Sequence, residues 1–252
     1  MNAEDLSHLT AEPIGVLGMS FYFDPLTAER ARELGLNVYQ FYGLGRAGVM
    51  GNVDTEVVQR AFTFFHPAAI EMIYTNAREK ADPAETANHY IEAAYAFADR
   101  TFGSVPIKVL ADFAAAAQIV ATHVTTERHL LFDGYRLFPF PADPVRAAYQ
   151  ATIELRELRG GAHIDAVHQV GLTAAEACYL QDASLFALHG YAEADAPAVT
   201  DEMRAQKIEA EELTAAFMAQ SFEVLNASQR QQLADGTVAM FDALSAPTPV
   251  AR

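Results

Sequence analysis

Apolar residues recur every three or four positions along the long segments of this chain, and no segment shows the one-by-one alternation of a half-buried strand. That period belongs to amphipathic helices, so an all-α, multi-helix fold is expected. Residues 82–102 place Tyr90, Ala94 and Phe97 on one stripe, with Pro83 in a first turn that tolerates its missing N–H. Residues 106–124 read as a strongly apolar helix. Residues 142–158 read as an amphipathic helix with Asp143 as its N-cap and the Gly160–Gly161 pair as its stop. Earlier, "DPLTAERARELGLN" reads as a capped helix ending at Gly35, and the glycine-rich "NVYQFYGLGRAGVMGNV" as a loosely wound helix with close backbone contacts. Residues 54–76 read as two helices broken at His66–Pro67. The aromatic, proline-containing stretch 128–144 reads as a long loop of the kind that often carries function. "AEADAPAVTDEM" reads as a linker, followed by helices near 199–224 and 227–245 and a frayed tail "SAPTPVAR". The organisation expected is a helical ligand-binding domain over 1–190, then a linker and C-terminal helical appendage over 191–252.

Residues 154–183 pose a sharper question. With Gly171 as a turn glycine, Val170, Leu172, Ala177 and Leu180 fall where two crossing helices would bury them, as in a helix-turn-helix. The charge contradicts a DNA-reading role. From Gly160 through Met203 there is no Lys or Arg, while Asp165, Glu176, Asp182, Glu193, Asp195, Asp201 and Glu202 are present. Contacts to phosphate supply most non-specific DNA affinity, and a formal net charge of −16 repels nucleic acid and anionic membranes alike. A nucleic-acid partner is therefore not expected, whereas a small-molecule substrate is, and a small or basic protein partner would suit the acidic surface. No apolar run is long enough to span a bilayer, and "MNAEDLSHLT" is unlike a secretory signal, so a cytoplasmic location is expected.

No cofactor or metal is expected either. His163 and His168 are five residues apart and diverge on a helix; His123 and Glu127 have an i, i+4 separation but no third ligand. "GLGRAG" lacks the Lys–Ser/Thr ending of a phosphate loop, and Cys178, the only cysteine, reads as a small core residue.

The spaced set "FYFDP" (21–25), "FYGLGRAG" (41–48), "FTFFHP" (62–67), "LFDGYRLFPFP" (131–141) and "LRELRGGAH" (155–163) resembles a family of actinobacterial proteins usually labelled helix-turn-helix, over roughly residues 6–190. The resemblance implies a tri-helical, winged-helix-like unit, to which two C-terminal helices are added here. Members tend to read Arg-Glu-His-Arg-Gly-Asp-Gly-His where this chain reads "RELRGGAH". Leu158 thus replaces a histidine and Gly161 an aspartate, while His163 is kept. At 133–135, where small residues and an asparagine are usual, the chain has "DGY". Such departures suit a pocket rewired for a particular ligand.

The candidate catalytic residues are Asp133, His66 and His163; the candidate substrate-binding residues are Tyr22, Tyr42, Arg46, Tyr135 and Glu157. Asp133 in an apolar aromatic segment reads either as a partly desolvated base or as an Asp–Gly turn facing water. His66 reads as a core histidine or a polar handle in a pocket. His163 either caps a helix or faces a ligand. Arg46 needs a partner among Glu157, Asp133 or a ligand anion. Tyr22 faces either a cavity or the core. The function expected is a cofactor-independent small-molecule enzyme, or its ligand-binding subunit, in specialised metabolism. Its reaction would be a carboxylate-assisted elimination, cyclisation or intramolecular substitution, such as closing a strained nitrogen ring with loss of an anionic leaving group. The alternative is a MarR-like transcription regulator with a small-molecule effector.

Overall fold

A computed structural model describes residues 1–126 and 128–245. The 246–252 part of the tail and Glu127, half of the His123–Glu127 pair, lie outside the described residues. Among the described residues the chain is all-α, with no strand: α1 (Ala3–Met19), α2 (Pro25–Glu33), α3 (Val38–Gly48), α4 (Thr55–Ala61) and α5 (Pro67–Ile70) come first. A π turn (Glu71–Thr75) joins α5 to α6 (Asn76–Arg78). Then follow α7 (Pro83–Phe102), α8 (Ile107–His123), α9 (Leu130–Tyr135), α10 (Pro144–Gln169), α11 (Ala174–Gln181), α12 (Asp201–Phe222) and α13 (Ala227–Ser245). No helix among these residues is long and apolar enough to cross a membrane.

Starts are set by side-chain caps. Asp24, Asn37, Asp82, Asp143 and Thr173 each accept a hydrogen bond from a first-turn N–H. α10 is the central post: α1, α7, α8, α9 and α12 all pack on it. Phe21, Phe41, Tyr90, Tyr149, Phe97 and Phe102 form an aromatic core beside it, and each fully buried ring contributes about 1.5–3 kcal/mol. α12 and α13 pack against α1, α8 and α10, and Met218, Phe222, Leu233 and Met240 join the main core.

α3 is a regular helix buried from Gln40 to Gly48. Its glycines give the close approach expected: a Cβ at Gly45 would meet the Tyr90 ring, and one at Gly48 the Pro83 carbonyl.

Two expectations are corrected. The stretch 128–144 is not one loop, because α9 occupies Leu130–Tyr135. The Gly160–Gly161 pair does not stop α10, which runs on to Gln169. Glycine ends a helix by taking positive φ, and neither member of the pair does; Gly171, at φ +83°, does. Leu158, Ala162, Ala166 and Val167 carry the buried stripe through the pair. The helix-turn-helix geometry is therefore the end of α10, the Gly171 turn and α11, with the start of α12 as third helix. Ala166, Val167, Leu172, Ala177, Met203 and Ala210 form a small core of their own there, covered by Val170 and Leu180.

Candidate functional site

A cavity of about 570 Å³ lies between α1, α3, the α4–α5 connection, the start of α9, α10 and α12. Its floor is made by two helices. α3 places Tyr42 and Arg46 one turn apart, and α10 brings Glu157 to meet them. Arg46 donates from Nε to Glu157 Oε1 (3.0 Å) and from Nη2 to Oε2 (2.7 Å), and from Nη1 to the Tyr42 hydroxyl (2.8 Å). Its face lies over the Phe62 ring, 4.7 Å from the centroid. Arg156 donates from Nη1 to Glu157 Oε1 (2.9 Å) and covers the Tyr22 ring at 5.3 Å. Burial alone would raise the Glu157 carboxyl, but the Arg46 and Arg156 guanidiniums more than offset it and hold it below its ordinary value. Two guanidiniums against one carboxylate leave the cluster with one net positive charge.

The cavity wall as a whole keeps that excess of one. It includes five arginines (Arg46, Arg60, Arg128, Arg156, Arg159) and four carboxylates (Glu12, Glu157, Asp165, Glu211), in a chain whose net charge is −16. Arg159 pairs with Glu211 at 2.7 Å and Arg128 with Asp165 at 3.4 Å. Phe62, Phe64, Phe65 and Ile164 supply apolar wall. His129 also lines it: its Nε2 stands 3.0 Å from Asp165 Oδ2, and its Nδ1 is buried with no hydrogen-bond partner among the described residues. The ring fits because residue 161 is glycine; a Cβ there would overlap it.

Of the residues singled out in the sequence, Tyr42, Arg46 and Glu157 come together in this wall, and Glu157 is the partner Arg46 required. Tyr22 lies buried beneath Arg156 and against Tyr42, with ring centroids 4.9 Å apart. Tyr135 is buried in the core, outside the wall. The three candidate catalytic residues are not brought together, and none lines the cavity. Asp133 accepts from Thr126 Oγ1 at 3.0 Å and pairs with Arg136 at 3.2 Å, within α9 and outside the cavity wall. His66 caps α5, its Nδ1 accepting from the Ala68 N–H at 3.1 Å. His163 sits between α10 and α12 with Nδ1 3.1 Å from Thr214 Oγ1, and burial lowers its pKa against the opposing pull of Glu211.

Sequence reasoning missed Arg156, His129 and Asp165. Arg156 could have been found from its place beside Glu157 in "RELRGGAH". The His129–Asp165 pair bridges 36 residues, and no local spacing signals it. Among the described residues no group of three His, Cys, Asp or Glu side chains could hold a metal ion.

Among known families, a family model described as a helix-turn-helix family matches residues 7–195. No curated protein and no solved structure matches the chain.

Proposed function

We propose, for a chain that belongs to the helix-turn-helix family, that the scaffold holds a small molecule and acts on it without a cofactor, as an enzyme of specialised metabolism or the ligand-binding subunit of one. The observation that carries this is the contrast between two places. The cavity gathers arginines, carboxylates and an imidazole against phenylalanines, whereas α11, the helix placed to read bases, has no Lys or Arg.

The roles follow from the hydrogen bonds. Glu157 is ionised and held by two guanidiniums, so it positions rather than accepts protons. Asp165 accepts the His129 Nε2 hydrogen and holds the ring in the wall, with Nδ1 buried behind it. Elimination, cyclisation or intramolecular substitution needs no more than a positioned substrate and a carboxylate to take the proton, and Glu12, Asp165 and Glu211 line the same wall. In a ring closure, the amine proton passes to a carboxylate of the wall, the nitrogen lone pair forms the new N–C bond, and the leaving group departs with the electrons of its own bond. Closure of a strained nitrogen ring is one concrete case.

The experiment is incubation with the small-molecule extract of the native host, followed by mass spectrometry. Gly160 lines the cavity with open space around its missing Cβ, so Gly160→Leu fills the site without a backbone clash. The expected result is at least one compound consumed by the wild type and spared by Gly160→Leu. Equal consumption by both, or none by either, contradicts the enzyme reading.

A regulator is the second reading, favoured by one observation: Gln181, the last residue of α11, lines the same cavity, so a ligand there would touch the helix-turn-helix. Fluorescence anisotropy with mixed genomic duplex at low salt separates the two. No saturable binding is expected, and tight, steeply salt-dependent binding would select the regulator.

A further inference from the structure

We propose that the cavity takes an oxyanion carried on an apolar body, a carboxylate or a phosphate or sulfate ester, and that Arg156 rather than Arg46 is its anchor. The inference rests on the small-molecule reading above and names the class of ligand.

The two arginines that share Glu157 are not equivalent. Arg46 is engaged through Nε, Nη1 and Nη2 in its bonds to Glu157 and Tyr42. A guanidinium has five N–H donors in a fixed fork. Arg156 uses only Nη1 on Glu157 among the described residues, which leaves Nε and Nη2 for a ligand in the cavity it lines. Arg156 is also held in place before any ligand arrives. Its face rests on Tyr22, and its methylenes fill the notch left by Gly18 on α1, where a Cβ would fall 2.5 Å from Arg156 Cδ. An anchor fixed in this way loses little entropy on binding.

The charge balance points the same way. The buried cluster of Arg46, Arg156 and Glu157 has one uncompensated positive charge, and an anion against Arg156 would neutralise it. Arg60, also in the wall, has no ion-pair partner among the described residues. The Tyr42 hydroxyl accepts from Arg46 and so keeps its own hydrogen to donate. The apolar body is called for by Phe62, Phe64, Phe65 and Ile164, and at the mouth by the exposed Val16 and Met19.

Calorimetric titration of the full chain with phenyl phosphate, benzoate, inorganic sulfate and benzyl alcohol tests this. Phenyl phosphate or benzoate is expected to bind at least tenfold more tightly than sulfate, which lacks the body, and than benzyl alcohol, which lacks the charge. The tighter of the two aromatic anions assigns the headgroup. Arg156→Gln leaves a neutral Arg46–Glu157 pair, so the fold should survive by circular dichroism. Its affinity for the aromatic anions should fall at least tenfold while that for benzyl alcohol stays the same. Gly160→Leu should abolish binding of all of them. Equal binding of benzyl alcohol and the anions, or undiminished anion binding by Arg156→Gln, overturns the anchor; if Gly160→Leu still blocks those ligands, the cavity reading stands. Binding that Gly160→Leu leaves intact, or binding of none of the four probes, overturns the anchor and removes the support for a ligand cavity as well.

Discussion

Glu154 and Glu157 stand one turn apart on α10, are 4% and 2% exposed, and live in opposite electrostatic worlds. Glu157 faces the cavity floor between two guanidiniums and keeps its charge. Glu154 meets no guanidinium of the described residues at hydrogen-bond distance; Gln150 Nε2 donates to it at 2.9 Å, and Gln150 in turn takes the hydroxyl hydrogen of Tyr95 on α7. Burial pushes Glu154 up to about 7, against the smaller pulls of that hydrogen bond and of Arg136. Burial does not decide whether a carboxylate is charged; the groups that enclose it do. Two neighbouring positions on the post are thus built differently, one to hold an ion and the other to shed it.

The most disruptive way to break the contrast is Glu157→Gln. It strands two buried guanidiniums and should cost about 3–5 kcal/mol, read as a fall in the urea midpoint at unchanged slope. A midpoint close to wild type would mean that the arginines find other partners.

Glu154 should give a pH signature of opposite sense to that of Glu157. A carboxyl whose folded pKa is raised from 4.5 to about 7 holds its proton longer when folded. Stability is then fully present below the unfolded value and is lost as pH rises through that window, by about 3 kcal/mol. Glu157, with its lowered pKa, contributes stability above the unfolded value and loses it as pH falls through the folded one. Glu154→Gln should flatten the loss between pH 4.5 and 7 in denaturation curves. An unchanged pH profile in that variant would refute the assignment.

The glycine pair sharpens the comparison at smaller scale. Gly161→Ala should destabilise by about 1–3 kcal/mol because its Cβ overlaps the His129 ring. Gly160→Ala meets nothing and should stabilise by about 0.5–1 kcal/mol through helix propensity alone. Thermal melts of the two variants should move in opposite directions.

Much of this architecture was legible in local pattern. Caps at Asp143 and Asp82, the Gly171 turn and the helical period are written within a few residues of where they act. The site was legible where partners sit on one motif or one turn, as with Tyr42, Arg46 and the demand for a carboxylate. It was illegible where partners are distant. Asp133 looked like a base because its neighbours are apolar, but its contacts are with Thr126 and Arg136, and His129 is placed by Asp165 from another helix. Gly160–Gly161 misled because glycine both ends helices and lets them pack closely; only the partner's position, His129 against Gly161, distinguishes the two uses.

The most direct measurement is the anomalous diffraction of crystals soaked in 4-iodobenzoate. The iodine is expected among Phe62, Phe64 and Ile164, with the carboxylate on Nε and Nη2 of Arg156 and the Arg46–Glu157 bonds intact. An ordered ligand that leaves Arg156 untouched, or iodine found only on the outer surface, would contradict a cavity made for a small anion.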